Sequence, residues 1–410
     1  MRSIMVLCRK LIQKMRNLFI IGTFVLLSYS GFAQQEPNSG THTLEELNSK
    51  IRAIFESSAL PGFAVVVVND KEVMYQQAMG FADLETKKKY TAHTTQNIAS
   101  ISKTFIAVAL MKAIDQGAVD LDTDINTYLP FKVVHPLFQK TPITLRHLAN
   151  HTSGIDDERT YDKCYLLDEP NADYSHLPKR VRKYISLLQQ NEKLDNAEFL
   201  EKTLRVNGEW FSKKNFTKEA PGKAYRYSNI GAALAAFVIE SAVGMPYEAY
   251  TKKYIFEPLQ MNESTWELSE EGADKFASKY FKKGLRVPDY SLITKADGGL
   301  ITNTTDFAKY LIEMLKGLYQ KGTLLSKSSY KEMFERKEFG EIGSGIFWEM
   351  TERGTPYHSG SDPGVMTYTS INQNKNIAAF FMTNIGAELI DEDDISIGKI
   401  HEVLKQHNWE

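Results

Sequence analysis

Ser100-Ile101-Ser102-Lys103 sets a hydroxyl and an amine three residues apart at the start of a stretch with helical periodicity, Ser100 to Gln116. On a helix that spacing puts both side chains on one face. A serine hydroxyl is inert near neutral pH until a base takes its proton, and a partly buried lysine can be that base. The chemistry would be attack on a carbonyl, with the outward N–H groups of a helix N-terminus polarising the oxyanion. Ser328 to Lys331 and Ser396 to Lys399 repeat the spacing, but only Ser100 is expected at a helix start.

Two further stretches supply the groups such a nucleophile needs. Tyr227-Ser228-Asn229 follows Pro221-Gly222 and precedes the small-residue helix Ile230 to Ser241. His358-Ser359-Gly360-Ser361 falls at the end of an expected strand and runs into Asp362-Pro363-Gly364. Singly, a tyrosine can be core filler and a histidine a strand-end hydrogen-bonder; the ordered trio is harder to read as packing alone. Other chemistries find less support. His147 and His151 share the spacing of two imidazoles on one helical face, yet Leu148 stands where a zinc protease motif carries glutamate. No metal is expected there, and His151 reads as a hydrogen-bonding residue of the His151-Thr152-Ser153-Gly154 turn. Gly298-Gly299 is no phosphate cradle, and no G-x-S-x-G elbow occurs.

The elements that must position these residues follow from periodicity and breakers. Leu44, Leu47, Ile51, Ile54 and Phe55 mark a first helix ended by Pro61-Gly62. Phe63 to Val68, a turn at Asn69-Asp70 and Glu72 to Met79 read as a hairpin. From about Asp120 to Leu292 the pattern is mostly helical with long loops, including the charged stretch Asp156 to Lys193. Strands return at Gly345 to Met350, Thr355 to His358, Val365 to Ile371 and Ile377 to Thr383, and a helix from about Ile395 to Gln406 closes the chain. Strands at both ends with helices between them predict an α+β fold. The N-terminal hairpin would join the C-terminal meander in one antiparallel sheet flanked by helices, with an inserted helical lobe. The sheet lobe would take residues 44–90 and 293–410 and the helical lobe 91–292, with a small-molecule cleft between them.

The whole chain has 410 residues, 42% hydrophobic and 24% charged, which suits a globular protein. Its net charge of −2 provides no global field for nucleic acid. Arg2, Arg9, Lys10, Lys14 and Arg16 precede the apolar run Leu18 to Leu27 and then Ser28 to Ala33, the order of an export signal. Cleavage after Ala33 is expected, with Met15 as an alternative start, no stable membrane insertion afterwards, and a periplasmic or extracellular location. The mature chain, residues 34–410, would be mildly acidic. It would retain Cys164 alone, without Cys8, so no intrachain disulfide can form.

The sequence resembles the serine β-lactamase and penicillin-binding-protein superfamily, in the branch of class C β-lactamases, D-alanyl-D-alanine carboxypeptidases and family VIII esterases. The resemblance runs from about Leu44 to Phe381. It is carried by Asn97 to Phe105, Leu145 to Gly154, Tyr227-Ser228-Asn229, Asp297-Gly298-Gly299-Leu300 and His358-Ser359-Gly360. It implies that Ser100 is acylated, that Lys103 and Tyr227 share the proton work, and that Asn229 bonds the substrate or the lysine. His358 and Gly360 would line the substrate site, and the N–H groups of Ser100 and Ser361 would form the oxyanion hole. A Lys103 ammonium would lower the Tyr227 phenol below its usual pKa of about 10. No cofactor is implied. The partner would be a small molecule or peptide, with D-Ala-containing peptides or small esters expected ahead of β-lactams, because His358 replaces the lysine of K-T-G. A β-lactamase proper and a penicillin-binding-fold sensor without turnover are the alternatives. Selection among substrates is assigned to the Asp156 to Lys193 stretch and the loops up to Ala220.

Overall fold

The computed structural model describes residues 43–387 and 396–409; the expected signal segment 1–33 lies outside them. Helix α1 (Leu44–Glu56) begins with a reciprocal cap between Thr43 and Glu46. Strands β1 (Gly62–Val68) and β2 (Val73–Asp83) follow as the expected hairpin, with β3 (Lys88–Lys89) beyond. The C-terminal part adds β4 (Lys337–Phe339), β5 (Ile342–Ser344), β6 (Glu349–Met350), β7 (Pro356–Asp362), β8 (Val365–Asn372) and β9 (Ile377–Thr383). All nine form one sheet in the order β4-β5-β6-β7-β8-β9-β1-β2-β3. The closure is antiparallel, Phe63 opposite Thr383 and Val68 opposite Ala378, so the two ends of the chain meet as expected.

β1 is buried on both faces, which explains its unbroken apolar run. Ala64, Val66 and Val68 face the large core, while Phe63, Val65 and Val67 face a second cluster with Leu47 and Ile51 of α1 and Ile400 and Leu404 of α5 (Ser396–Gln406). The large core surrounds α2 (Lys103–Asp115) and α3 (Asn229–Val243), which pack on one another, and α4 (Thr304–Leu318), which lies on β1 and β9.

Three expectations change. The Ser100 to Gln116 helix is a 3₁₀ turn, Ala99–Ser102, running into α2, and α2 is a central helix buried continuously from Lys103 to Met111 rather than an amphipathic one. The middle of the chain contains short strand pairs, Gln96–Asn97 with Ile301–Thr302 and Tyr165–Leu167 with Tyr290–Leu292. Strand β7 does not stop at His358 but continues to Asp362. The glycine inside it is explained by packing. A Cβ on Gly360 would stand 2.2 Å from Thr367 Oγ1 and 2.5 Å from the Ile98 carbonyl, so only glycine lets the Ser100 turn lie against this strand.

Candidate active site

The chain enters the nucleophile turn through Ala99, whose φ of +52° is unfavourable for a residue with a Cβ. That reversal carries the strand Gln96–Asn97 into the 3₁₀ turn. It is held by Thr367 Oγ1 donating to the Ile98 carbonyl (2.8 Å) and Ser102 Oγ donating to the Ala99 carbonyl (2.6 Å). Ser100 sits half-buried at the mouth, and its N–H belongs to a first turn with no helical carbonyl behind it.

Lys103 is completely buried. Its Nζ lies 3.2 Å from Ser100 Oγ, 2.7 Å from Asn229 Oδ1 and 2.6 Å from the Asp297 carbonyl oxygen. The last two groups can only accept, so as a neutral amine the nitrogen spends both hydrogens on them and turns its lone pair to Ser100. As an ammonium it donates to all three.

Tyr227 comes near Ser100, whose hydroxyl acts on its phenol. Its ring packs on His151 at 4.4 Å between centroids, tilted by 30°, and His151 Nδ1 accepts from the Ser228 N–H (3.2 Å). His151 thus has the hydrogen-bonding role expected of it. It has left the helix of His147 with φ +55°, while His147 Nδ1 accepts from the Thr144 N–H, so the two imidazoles serve local structure. The expected lowering of the Tyr227 phenol is overturned. Burial pushes it well above its usual value, and the Ser100 hydroxyl only partly opposes that. The Lys103 nitrogen stands over the face of the ring, 5.0 Å from its centroid. In the free site Tyr227 is therefore a phenol that can relay a proton, not a phenolate.

On the opposite wall, His358 is buried, and its Nδ1 lies 2.8 Å from the Ser359 carbonyl oxygen. That contact makes Nδ1 the N–H donor. Burial lowers its pKa to about 4, with Glu349 opposing and Lys103 assisting, so the ring is neutral around pH 7. Gly360 touches the nucleophile turn, and Ser361 is half-buried with its Oγ enclosed and unpartnered.

The structure brings Ser100, Lys103, Asn229, Tyr227, His358 and Gly360 together and adds other residues. Asp157 is buried and binds the start of α3: one oxygen accepts from Ser228 Oγ (2.7 Å) and the Ile230 N–H (3.2 Å), the other from the Asn229 N–H (2.7 Å). It fixes the segment presenting Tyr227 and Asn229. Part of the Asp156 to Lys193 stretch is thus structural support for the site. Behind Lys103, Tyr161 donates to Asp297 and Tyr165 to Asp362 (2.6 Å), both carboxyl groups being buried. The helix-start criterion also needs correction. Ser328 lies in the first turn of a helix, Lys327–Met333, and Ser396 begins α5. What separates Ser100 is that its lysine is buried among acceptors, whereas Ser328 and Lys331 are exposed.

Comparison with known proteins gives the family and the fold. Protein flp of Staphylococcus aureus (strain MRSA252) is 20% identical over 352 residues, 84% of this chain and 64% of its own length. The serine beta-lactamase-like protein LACTB, mitochondrial, of Homo sapiens is 28% identical over 322 residues, 68% of this chain and 57% of its own. The chain spans less than two thirds of either relative. Among solved structures, the octameric penicillin-binding protein homologue from Pyrococcus abyssi superposes with a TM-score of 0.65 at 25% identity, covering 89% of this chain and 78% of that one. A class C beta-lactamase gives 0.66 at 18%, covering 92% and 99%, a likeness of fold. The family model named Beta-lactamase matches residues 47–397, a span that holds Ser100, Lys103, Tyr227 and His358 together, and the chain belongs to that family.

Proposed function

We propose that the protein is an exported serine hydrolase that works through an acyl-enzyme in the periplasm or outside the cell, on a small ester ahead of a D-Ala-containing peptide, and on β-lactams least. The observation that carries the reading is the contact of Lys103 Nζ with Ser100 Oγ at 3.2 Å, with no exposure of the lysine to water.

Ser100 Oγ attacks the carbonyl carbon as its proton passes to Lys103, and the oxyanion forms against the N–H groups of Ser100 and Ser361. Collapse expels the alcohol or amine, which takes its proton through Tyr227. Water then attacks the acyl carbon, its proton returns by the same groups, and Ser100 leaves as the free hydroxyl. Asn229 orients Lys103 and the substrate. No cofactor takes part.

The substrate preference follows from the wall opposite the nucleophile. A neutral His358, with Glu349 among the charges acting on it, gives no fixed cation for a carboxylate beside the scissile bond. Uncharged esters meet no such deficit.

The test exposes the mature protein to a fluorophosphonate and to a penicillin and looks by intact mass for an adduct absent in Ser100→Ala. The fluorophosphonate adduct is expected. No adduct from either reagent overturns the hydrolase reading in favour of a binding module. Rates on p-nitrophenyl esters, D-Ala-D-Ala peptides and nitrocefin then rank the substrates, with esters expected first.

A further inference from the structure

The mechanism above leaves one charged group beside Lys103 without work. The Asp297 carboxylate, 0% exposed, stands 4.0 Å from Lys103 Nζ through Oδ2, in addition to the backbone carbonyl that accepts from the same nitrogen. Its placement is built. The Asp297 turn is followed by Gly298, where a Cβ would meet Leu292 at 3.1 Å and Asp362 Oδ2 at 3.2 Å, so glycine lets the turn lie close against Asp362 of β7. Tyr161 donates its hydroxyl to Oδ2 from the 3₁₀ turn Tyr161–Cys164, in the loop region behind Lys103. The titratable groups acting on Asp297 are Lys103 from α2, Tyr161 from that loop and Asp157 at the start of α3, while Cys164, Tyr227 and Asp362 in turn feel its charge. Lys295, on its own turn, points away to Glu267 and Glu248. Burial pushes the Asp297 carboxyl up to about 6, with Lys103 pulling it down, so the group is mostly ionised at neutral pH.

We propose that Asp297, held by Tyr161, is a positioning residue that strengthens Lys103 as a base by stabilising the ammonium formed when Ser100 gives up its proton. A carboxylate at this distance in a dry site favours the charged lysine over the neutral one. The effect has two sides. The ammonium produced during acylation is better stabilised, and the lysine yields its resting proton only at higher pH. This rests on the hydrolase reading, and it predicts a signature that loss of structure does not give. In Asp297→Asn the acid-side midpoint of acylation moves down by at least one pH unit, while the alkaline plateau falls severalfold because the base is weaker.

The experiment measures the rate of fluorophosphonate labelling of Ser100 by intact mass from pH 5 to 10 in the mature protein, in Asp297→Asn and in Asp297→Ala. The alanine variant keeps the backbone carbonyl that accepts from Lys103. Crossing profiles, with both variants faster than the parent at acid pH and slower at alkaline pH, are expected. An unchanged midpoint with a uniformly lower rate overturns the proposal, as does loss of folding in both variants by circular dichroism, which makes Asp297 a structural residue only. A parent protein that is never labelled at any pH defeats the hydrolase reading instead.

Discussion

Two copies of one motif sit at two helix starts and end in different chemistry. At Ser328 and Lys331 both side chains are exposed, and the serine Oγ lies 2.9 Å from Ser326 Oγ. At Ser100 and Lys103 the same spacing is covered by three segments from elsewhere: the start of α3, the Asp297-Gly298-Gly299 turn and β7. The difference teaches that the spacing supplies a shared face and nothing more. Burial gives the pair its chemistry, because it strips water from the amine and leaves acceptors that dictate where its hydrogens and lone pair point.

The comparison is sharpest in the lysines. Lys103→Met fills a similar volume without the amine and is expected to slow Ser100 labelling by roughly a thousandfold. Lys331→Met leaves it unchanged, and equal losses in the two variants would show that the covered copy has no special chemistry. Next in size is the cover itself. Gly360→Ala forces a Cβ into the Ile98 carbonyl and Thr367, so the nucleophile turn must move off β7. A displacement of about 1 Å costs on the order of a hundredfold in rate, and overpacking costs about 1–3 kcal/mol of stability. Labelling rates and denaturant midpoints of the same preparation read both. Asp157→Ala strands two buried N–H groups and the Ser228 hydroxyl at the start of α3. It is expected to cost about 5 kcal/mol or more in urea unfolding, since three bonds are lost and bonds to a charged group are worth about 1.5–3 kcal/mol each.

Much of this arrangement is legible in the sequence alone. The hairpin from Phe63, the strands Val365 to Ile371 and Ile377 to Thr383, and the three candidate catalytic stretches all declare themselves through local pattern. What stayed hidden depends on partners far away in the chain. The Asp157 carboxylate earns its role from residues 71 to 73 positions later, and Asp297 from Tyr161, 136 positions earlier. No spacing rule reaches that far. Local pattern ends β7 at His358, whereas Gly360 is a glycine on account of the Ile98 carbonyl it faces. The two-residue strand pairs of the middle region carry too few side chains for any periodicity.

The strand wall gives a smaller effect, with its sign set by the histidine. His358 has its folded pKa depressed from 6.5 to about 4 by burial. The unfolded chain therefore takes up that proton first, and the stability His358 contributes is present above pH 6.5 and lost as pH falls to about 4. His358→Gln removes the titration, so its unfolding free energy falls less between pH 6.5 and 4 than that of the parent. Asp297 and Asp362, raised to about 6 and about 7 by burial, act in the opposite sense and are common to both proteins, so the difference isolates the histidine. Parallel slopes across that window would mean that the folded His358 takes up its proton near the usual 6.5, and a cation would then face the substrate below that pH.

The smallest effect is the one on which the opening contrast depends. Ser328→Ala removes a hydroxyl shared with Ser326 at the surface of the helix Lys327–Met333, whose cap is Ser326 rather than Ser328. Stability should stay within about 0.5 kcal/mol of the parent, as for surface substitutions generally, and fluorophosphonate labelling should keep its rate and its single adduct. A second adduct that disappears in Ser328→Ala would show that an exposed serine and lysine at a helix start can react without burial. The acceptors around Lys103 would then be a refinement of the chemistry and not its source.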